Sequence, residues 1–320
     1  MLSSRFIRRI VGSRHMKALI TGGSGFIGTH LARRLCQQNI DVTLFDKLTP
    51  CTESLERCQF IQGDLLDIET VKNAMFGFDI VYHLAANADI SLGAKSTSLD
   101  LQLTTMATYN VLEAMRINTI RSIVFLSGSG VYGDIGDKIA HEDSGPLLPV
   151  SLYGAAKLAA ESLISAFAHM FDMQAMVLRP ANIVGGGQTH GVLFDFISKL
   201  QNNSKQLEIL GDGTQNKSYL HVDDLCNAIE VILNSKKERV CVVNVASDDL
   251  IDVNWIAQTT LEFMKLKDVK ITHTQGKVGW LGDVPTIKLD TVKLKRLGWK
   301  PQLDSRNAIR KALEDLLLEN

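Results

Sequence analysis

The 320-residue sequence predicts an α/β fold, a doubly wound parallel sheet followed by a smaller C-terminal lobe. Three observations carry that expectation. A short apolar run, Ala18-Leu19-Ile20, leads into a glycine turn and an amphipathic segment at 30–35. A second run, Asp41-Val42-Thr43-Leu44-Phe45-Asp46, ends in an acid shortly after that segment. Runs of strand character then alternate with helical periods as far as residue 178, as in parallel strands covered on both faces.

The first turn is the most informative stretch. Thr21-Gly22-Gly23-Ser24-Gly25-Phe26-Ile27-Gly28-Thr29 holds G-x-G-x-x-G at Gly23, Gly25 and Gly28, and an overlapping G-x-x-G-x-x-G at Gly22, Gly25 and Gly28. Small residues there let backbone N–H groups approach a pyrophosphate at a helix N-terminus, so the unit reads as Rossmann-type. Asp46 is placed to accept both ribose hydroxyls of adenosine and to repel a 2′-phosphate, which points to NAD as cofactor. Lys47 follows it and softens that repulsion.

The remaining elements follow in order. Gln59-Phe60-Ile61 reads as a strand, 68–76 as a helix, 79–84 as a strand, and 99–116 as one long helix. Ser122-Ile123-Val124-Phe125-Leu126 is the next strand, 153–171 a helix, and Ala175-Met176-Val177-Leu178 a strand. From Gly185 the texture changes to shorter elements broken by Gly185-Gly186-Gly187 and Gly211-Asp212-Gly213, with helices near 257–265 and 308–317. Residues 16–184 are therefore expected to form the NAD-binding domain. Residues 185–320 should form a substrate-binding lobe that partly returns to it. Ligand clefts in open α/β sheets lie outside the carboxyl ends of the strands, so the loops after Ala85, Leu126 and Leu178 should face one another.

Residues 1–15, with Arg5, Arg8, Arg9 and Arg14 and no acid, read as a basic extension: a targeting segment, a leader or tag, or sequence upstream of a start at Met16. A net charge of −1 provides no footprint for nucleic acid. No apolar run approaches the roughly 18 residues of a membrane span. Cys36, Cys51, Cys58, Cys226 and Cys241 are odd in number and scattered, which points to a cytoplasmic protein with no structural metal and no disulfide framework.

Tyr153-Gly154-Ala155-Ala156-Lys157 is the second strong signal. Residues four apart share a helix face, so the ammonium can sit beneath the phenol and favour its ionised form. A phenol of ordinary pKa about 10 needs such help to act as a base near neutral pH. His83 and His221, with no acid at useful spacing, read as packed histidines, Trp280 and Trp299 as packing aromatics, and Arg179 as structural. The lysines at 293–296 read as a solvated helix face.

At this point the chain resembles the extended short-chain dehydrogenase/reductases, specifically the NAD-dependent sugar epimerase/dehydratases, and among them enzymes of the UDP-glucose 4-epimerase type. The resemblance spans residues 17–318. It rests on Thr21 to Gly28, Asp46, Gly63-Asp64-Leu65, His83-Leu84-Ala85-Ala86, Val131-Tyr132-Gly133, Tyr153-x-x-x-Lys157, Arg179-Pro180-Ala181-Asn182, Tyr219-Leu220-His221-Val222-Asp223-Asp224 and Gly282-Asp283-Val284-Pro285. By that resemblance Gly22, Gly25, Phe26, Ile27 and Gly28 hold the pyrophosphate, and Asp64 and Leu65 contact adenine. Leu84, Ala85 and Ala86 line the path to the nicotinamide, Tyr153 is the acid/base, and Lys157 also binds the nicotinamide ribose. Asn182, Val192, Leu193, Lys217 and Asp283 match positions that enclose the nucleotide half of a nucleotide-sugar substrate.

The resemblance also implies a homodimer built on the helices at 99–116 and 153–171, with Leu101, Met106, Leu112, Met115, Leu163, Phe167 and Met170 as interface candidates.

The chain departs from the pattern in three places. Gly128 stands where relatives carry a Ser or Thr that bonds the reacting oxygen, leaving Ser129 and Ser127 as the nearest hydroxyls, Ser129 favoured for the flexibility its glycine neighbours provide. Thr104 replaces a common Asn near the nicotinamide, and the loop at 278–283 lacks the Arg that relatives place against the diphosphate, with Lys277 the nearest cation. The segment Gly128-Ser129-Gly130 carries no carboxylate, which disfavours elimination of water. The expectation is a nucleotide-sugar 4-epimerase; the alternatives are a nucleotide-sugar 4-reductase or dehydrogenase, or a weakly catalytic NAD-binding protein.

Overall fold

A computed structural model describes residues 15–318 except 51–54, 56, 88, 236, 237 and 275, and except the side chain of Ser91. The basic stretch 1–14 and Cys51 lie outside the described residues.

The first half of the chain builds a parallel sheet from β1 (Lys17–Thr21), β2 (Asp41–Asp46), β3 (Gln59–Gln62), β4 (Ile80–His83) and β5 (Ser122–Leu126). After a short β6 (Ile139–Ala140) comes β7 (Gln174–Pro180), and the sheet is completed much later. The second half supplies β8 (Asn182–Val184), β9 (Gln206–Ile209), β10 (Asn216–Lys217), β11 (Tyr219–His221), β12 (Val240–Val245), β13 (Ile251–Asp252), β14 (Lys270–His273) and β15 (Thr286–Leu289). The seven-stranded order is β12-β7-β5-β4-β1-β2-β3, so the winding direction reverses between β1 and β4. That reversal opens the crevice in which such sheets bind ligands.

Because the strands are buried on both faces, they read as apolar runs; β4 and β5 are buried along their whole length. One face is covered by the helices Phe26–Gln37 and Val222–Asn234, which join the Leu31, Leu44, Tyr82, Leu225 and Ile229 core. The other is covered by Ala107–Ile117 and Leu152–Met170, packed on Leu19, Val81, Phe125, Ile164 and Val177. The helix Val222–Asn234 thus returns from the second half of the chain, tied to the first by a close Arg34–Glu230 ion pair. β12 returns too, pairing along β7 from Val240–Ala175 to Val245–Pro180.

The lobe has a core of its own around Leu193, Phe196, Ile256 and Ile309. It contains a four-stranded sheet, β13-β10-β15-β6, whose last strand comes from the first half of the chain.

Two expectations need correction. The stretch 99–116 is not one regular helix: Leu101–Met106 is π-helical and gives way to α-helix at Ala107. Hydrophobic spacing does not separate an i→i+5 turn from an i→i+4 one, and such turns recur at functional sites. Of the interface candidates, Leu112 and Met115 are fully buried within the protein, whereas Leu101, Met106 and Met170 are exposed.

Among the described residues no helix is long and apolar enough to cross a membrane, and no group of three or more His, Cys, Asp or Glu is arranged to hold a metal ion.

Candidate active site

The glycine turn is shaped by backbone contacts that no side chain could enter. Gly22 has φ +69°, and a Cβ on it would lie 2.8 Å from Ala85 Cα and N. A Cβ on Gly28 would lie 2.2 Å from the Gly22 carbonyl oxygen. The turn therefore seats directly on the loop after β4, bringing Gly22, Gly25 and the start of the helix beside Leu84, Ala85 and Ala86. The helix begins at Phe26 with no side-chain cap on Gly25, so its first N–H groups face the crevice as anion donors. Phe26 packs edge-on against His30 and lies close to Gly185, with Ile27 partly buried beside it.

At the far side of the turn, Asp46 accepts hydrogen bonds from Ser24 N at 3.1 Å and Leu48 N at 3.2 Å, which orient its carboxylate at the end of β2. Lys47 pairs with Asp64 at 3.0 Å, directing its charge away from Asp46. Asp64 also accepts from Leu66 N, and the Leu65 carbonyl is held by Asn110. An acid at the ribose position, a backbone cradle and small residues along the loop after β4 together fit an adenine dinucleotide.

The second cluster lies where β5 meets the helix Leu152–Met170. Ser151 caps that helix by accepting from Gly154 N. Gly154 has no room for a side chain: its Cβ would lie 2.4 Å from the Gly130 oxygen. The short turn Ser129–Tyr132 is thereby pressed against the first turn of the helix, and a Cβ on Gly128 would sit 3.6 Å from the Tyr153 hydroxyl.

Lys157 is buried, donates to the Leu126 carbonyl at 2.7 Å, and lies 5.6 Å from the Tyr153 ring centre. The two side chains meet as the spacing predicts, but the electrostatic outcome differs. Tyr153 keeps part of its surface open to the crevice, yet loss of water around the hydroxyl, and then the Asp100 carboxylate, push its pKa up to about 12. Burial lowers Lys157 to about 7, opposed by Glu161 and Asp100. Desolvation outweighs the ammonium in the protein alone, so the phenol is held protonated.

Ser127 does not face Tyr153 as a free hydroxyl. It donates to Glu161 at 2.5 Å within a buried network in which Arg179 grips Glu161 at 3.0 and 2.6 Å and reaches Tyr132, whose hydroxyl donates to Asn244. Successive residues at a strand end point to opposite sides, and Ser127 falls on the structural side. Ser129, partly buried at the head of the short turn, remains the hydroxyl next to Gly128. Arg179 has the structural role its sequence context suggests.

Asp100 was not foreseen. It is 1 % exposed, its Oδ1 accepts from Asn87 at 3.0 Å, and its Oδ2 has no hydrogen-bond partner among the described residues. The buried Thr104 hydroxyl, in the π-helical turn, likewise has none. The only trace in the sequence is an acid between Leu99 and Leu101, at the start of an apolar stretch.

His83 is buried between Thr21 and Thr108, and burial lowers its pKa to about 3, in keeping with a packed histidine. His221 does have acids nearby: Asp223 at 3.4 Å and, from the C-terminal helix, Asp315 at 3.6 Å.

On the lobe side, Lys217 pairs with Asp283 at 2.5 Å and lies 5.0 Å from the Trp280 ring centre, while Gly279 N donates to Asp283. Trp280 therefore shapes this corner of the crevice, while Trp299 is buried and bonded to the Asp224 carbonyl. Asn182 is exposed at the start of β8, and Val192 is partly buried. Leu193 is fully buried in the lobe core, so its side chain anchors the helix Val192–Asn202 instead of lining the crevice.

Comparison with known proteins agrees with this arrangement. Residues 18–246 match the model of the NAD dependent epimerase/dehydratase family. A putative UDP-glucose 4-epimerase of Methanocaldococcus jannaschii is 29 % identical over 303 residues, covering 92 % of this chain and 96 % of the relative. A crystal structure of UDP-galactose 4-epimerase superposes with TM-score 0.85 at 34 % identity, covering 95 % of this chain and 99 % of that one. The structure of MoeE5 with UDP-glucuronic acid and NAD gives TM-score 0.86 at 26 % identity, covering 95 % and 100 %. Relatives at comparable identity also include GDP-mannose 3,5-epimerase of Arabidopsis thaliana and human dTDP-D-glucose 4,6-dehydratase. With the dinucleotide cradle, the Tyr153–Lys157 pair and these matches in agreement, the chain belongs to the NAD dependent epimerase/dehydratase family.

Proposed function

We propose that this protein is a nucleotide-sugar 4-epimerase acting on UDP-glucose and UDP-galactose or their N-acetyl forms. The observation that carries the reading is the segment facing Tyr153: Gly128-Ser129-Gly130 presents a hydroxyl and space but no carboxylate, so this segment brings no acid for expelling water and suits redox at one carbon. NAD, held by the glycine turn, Asp46 and the loop after β4, would supply reversible hydride chemistry at that carbon. Tyr153 takes the proton from the 4-hydroxyl in its ionised form, which the positive charge of bound NAD would favour over the protonated form held in the protein alone, and restores it after the sugar has turned over; Lys157, fixed to the Leu126 carbonyl, supports the phenolate when it is itself protonated. Asn182, Val192, Lys217 and Asp283 enclose the nucleotide half, and Trp280 closes the same side. The chain acts as a homodimer in the cytoplasm; the exposed Leu101, Met106 and Met170 support the dimer, and the free thiols of the described cysteines the location.

The test is incubation of purified protein with the four UDP-sugars without added cofactor, following the anomeric proton signals. The 4-epimers should accumulate with no net NADH. A 4-keto-6-deoxy product would replace this reading with dehydration, and net consumption or production of NAD(P)H would replace it with a reductase or dehydrogenase. The weakly catalytic alternative has an observation in its favour, the combination of Gly128, Thr104 and a loop at 278–283 that carries no Arg; no turnover of any of the four sugars would favour it.

A further inference from the structure

Cys36 and Cys58 stand apart from the other described cysteines. Their sulfurs are 3.1 Å apart, in contact, although the residues are 22 positions apart in sequence. Cys36 lies in the last turn of the helix Phe26–Gln37, and Cys58 immediately precedes β3. Both are partly exposed, whereas Cys226 and Cys241 are buried and lie elsewhere in the sheet and its covering helix. A disulfide needs the sulfurs at about 2.05 Å, so closure requires an approach of roughly 1 Å. Both cysteines sit where the chain can yield: Cys36 is next to the helix end, and Cys58 follows a turn closed by its own N–H to the Leu55 carbonyl.

We propose that Cys36 and Cys58 form a dithiol site that a small disulfide such as glutathione disulfide converts to an intramolecular Cys36–Cys58 bond. The bond closes a loop containing all of β2 with Asp46 and Lys47, and it ties the tail of the cofactor-binding helix to the strand that follows them. The helix is 12 residues long, so the bond lies roughly 15 Å from the phosphate turn at its other end. It acts on the adenosine side of the crevice and leaves the Tyr153 side untouched.

The chemistry balances without any further reactant. The Cys36 thiolate attacks one glutathione sulfur and expels a glutathione thiolate. The Cys58 sulfur then attacks Cys36 and expels the second. Two protein thiols are oxidised, one glutathione disulfide is reduced to two thiols, and these carry away both protons. Cys36 is the attacking group because burial, and then contact with Cys36, push the Cys58 thiol up to about 12. Both steps consume a thiolate, so the reaction accelerates as pH rises.

The reduced full-length protein, freed of reductant, is exposed to glutathione disulfide at pH 7 and pH 9, quenched with acid, and analysed by intact mass and non-reducing peptide mapping. The expected result is a monomer lighter by about 2 Da, containing a Cys36–Cys58 linked peptide, formed faster at pH 9 and reversed by dithiothreitol. Cys58→Ser should stop at a single glutathione adduct on Cys36. Stable glutathione adducts on both residues, a linked peptide through Cys51, Cys226 or Cys241, or no reaction of wild type would each overturn the proposal.

Discussion

Tyr153 carries the chemistry of the proposed reaction, and its surroundings suggest three tests. Tyr153→Phe keeps the ring and removes only the hydroxyl, so turnover should fall about 10²- to 10⁴-fold while NAD affinity measured by calorimetry stays within error. Gly128 has extended backbone and its Cβ would meet the Tyr153 hydroxyl at an ordinary 3.6 Å, so a serine fits there without strain. Ser129→Ala should therefore lower kcat by about 10-fold, and Gly128→Ser in that background should restore part of it. Unchanged kinetics for Ser129→Ala would mean that Tyr153 contacts the sugar unaided. Asp100 is the third case. Its negative charge disfavours the phenolate, so replacement by neutral Asn, which still accepts from Asn87, brings the phenol pKa down. The acid limb of the kcat/KM profile should move to lower pH in Asp100→Asn; an unmoved limb would restrict Asp100 to holding the loop of Asn87.

At the scale of elements, the helix Leu152–Met170 is held to β5 and β7 by the buried Arg179–Glu161 pair, to which Ser127 adds a third strand-end contact. Glu161→Gln leaves the Arg179 guanidinium buried and unpaired, which should cost about 3–5 kcal/mol of stability by urea denaturation. A loss below about 1 kcal/mol would show that water reaches the site and replaces the carboxylate. The elements themselves were largely legible, because the apolar runs of buried parallel strands and the glycine turn are local signals. What was not legible depended on partners distant in sequence or on hydrogen-bond pitch. Of the two acids beside His221, Asp315 arrives from the last helix, and Cys36 meets Cys58 only after β2 is laid down. The π-helical turn that buries Thr104 has the same apolar spacing as an α-helix. The side of the strand end on which Ser127 falls required the position of Glu161.

For the whole molecule, the two helices on one face of the sheet and the π-helical turn that precedes the first leave Leu101, Met106, Tyr109 and Met170 exposed, next to the Tyr109–Phe167 edge contact. Burial of this surface in a second copy should give a dimer by light scattering at micromolar concentration, and Met106→Glu with Met170→Glu should yield a monomer. A monomeric wild type would remove the proposed dimer without touching the site. The return of β12 to the edge of β7 has a further effect, on the order of events during synthesis. A nascent chain that has emerged only to residue 184 has made every other strand of the central sheet, yet β7 still presents an open row of hydrogen-bonding groups. The apolar face later covered by the helix Val222–Asn234 is also bare at that stage. The piece that holds the cofactor motif is thus unfinished without the rest of the chain, and a gene cut at residue 184 would yield a sheet with one sticky edge.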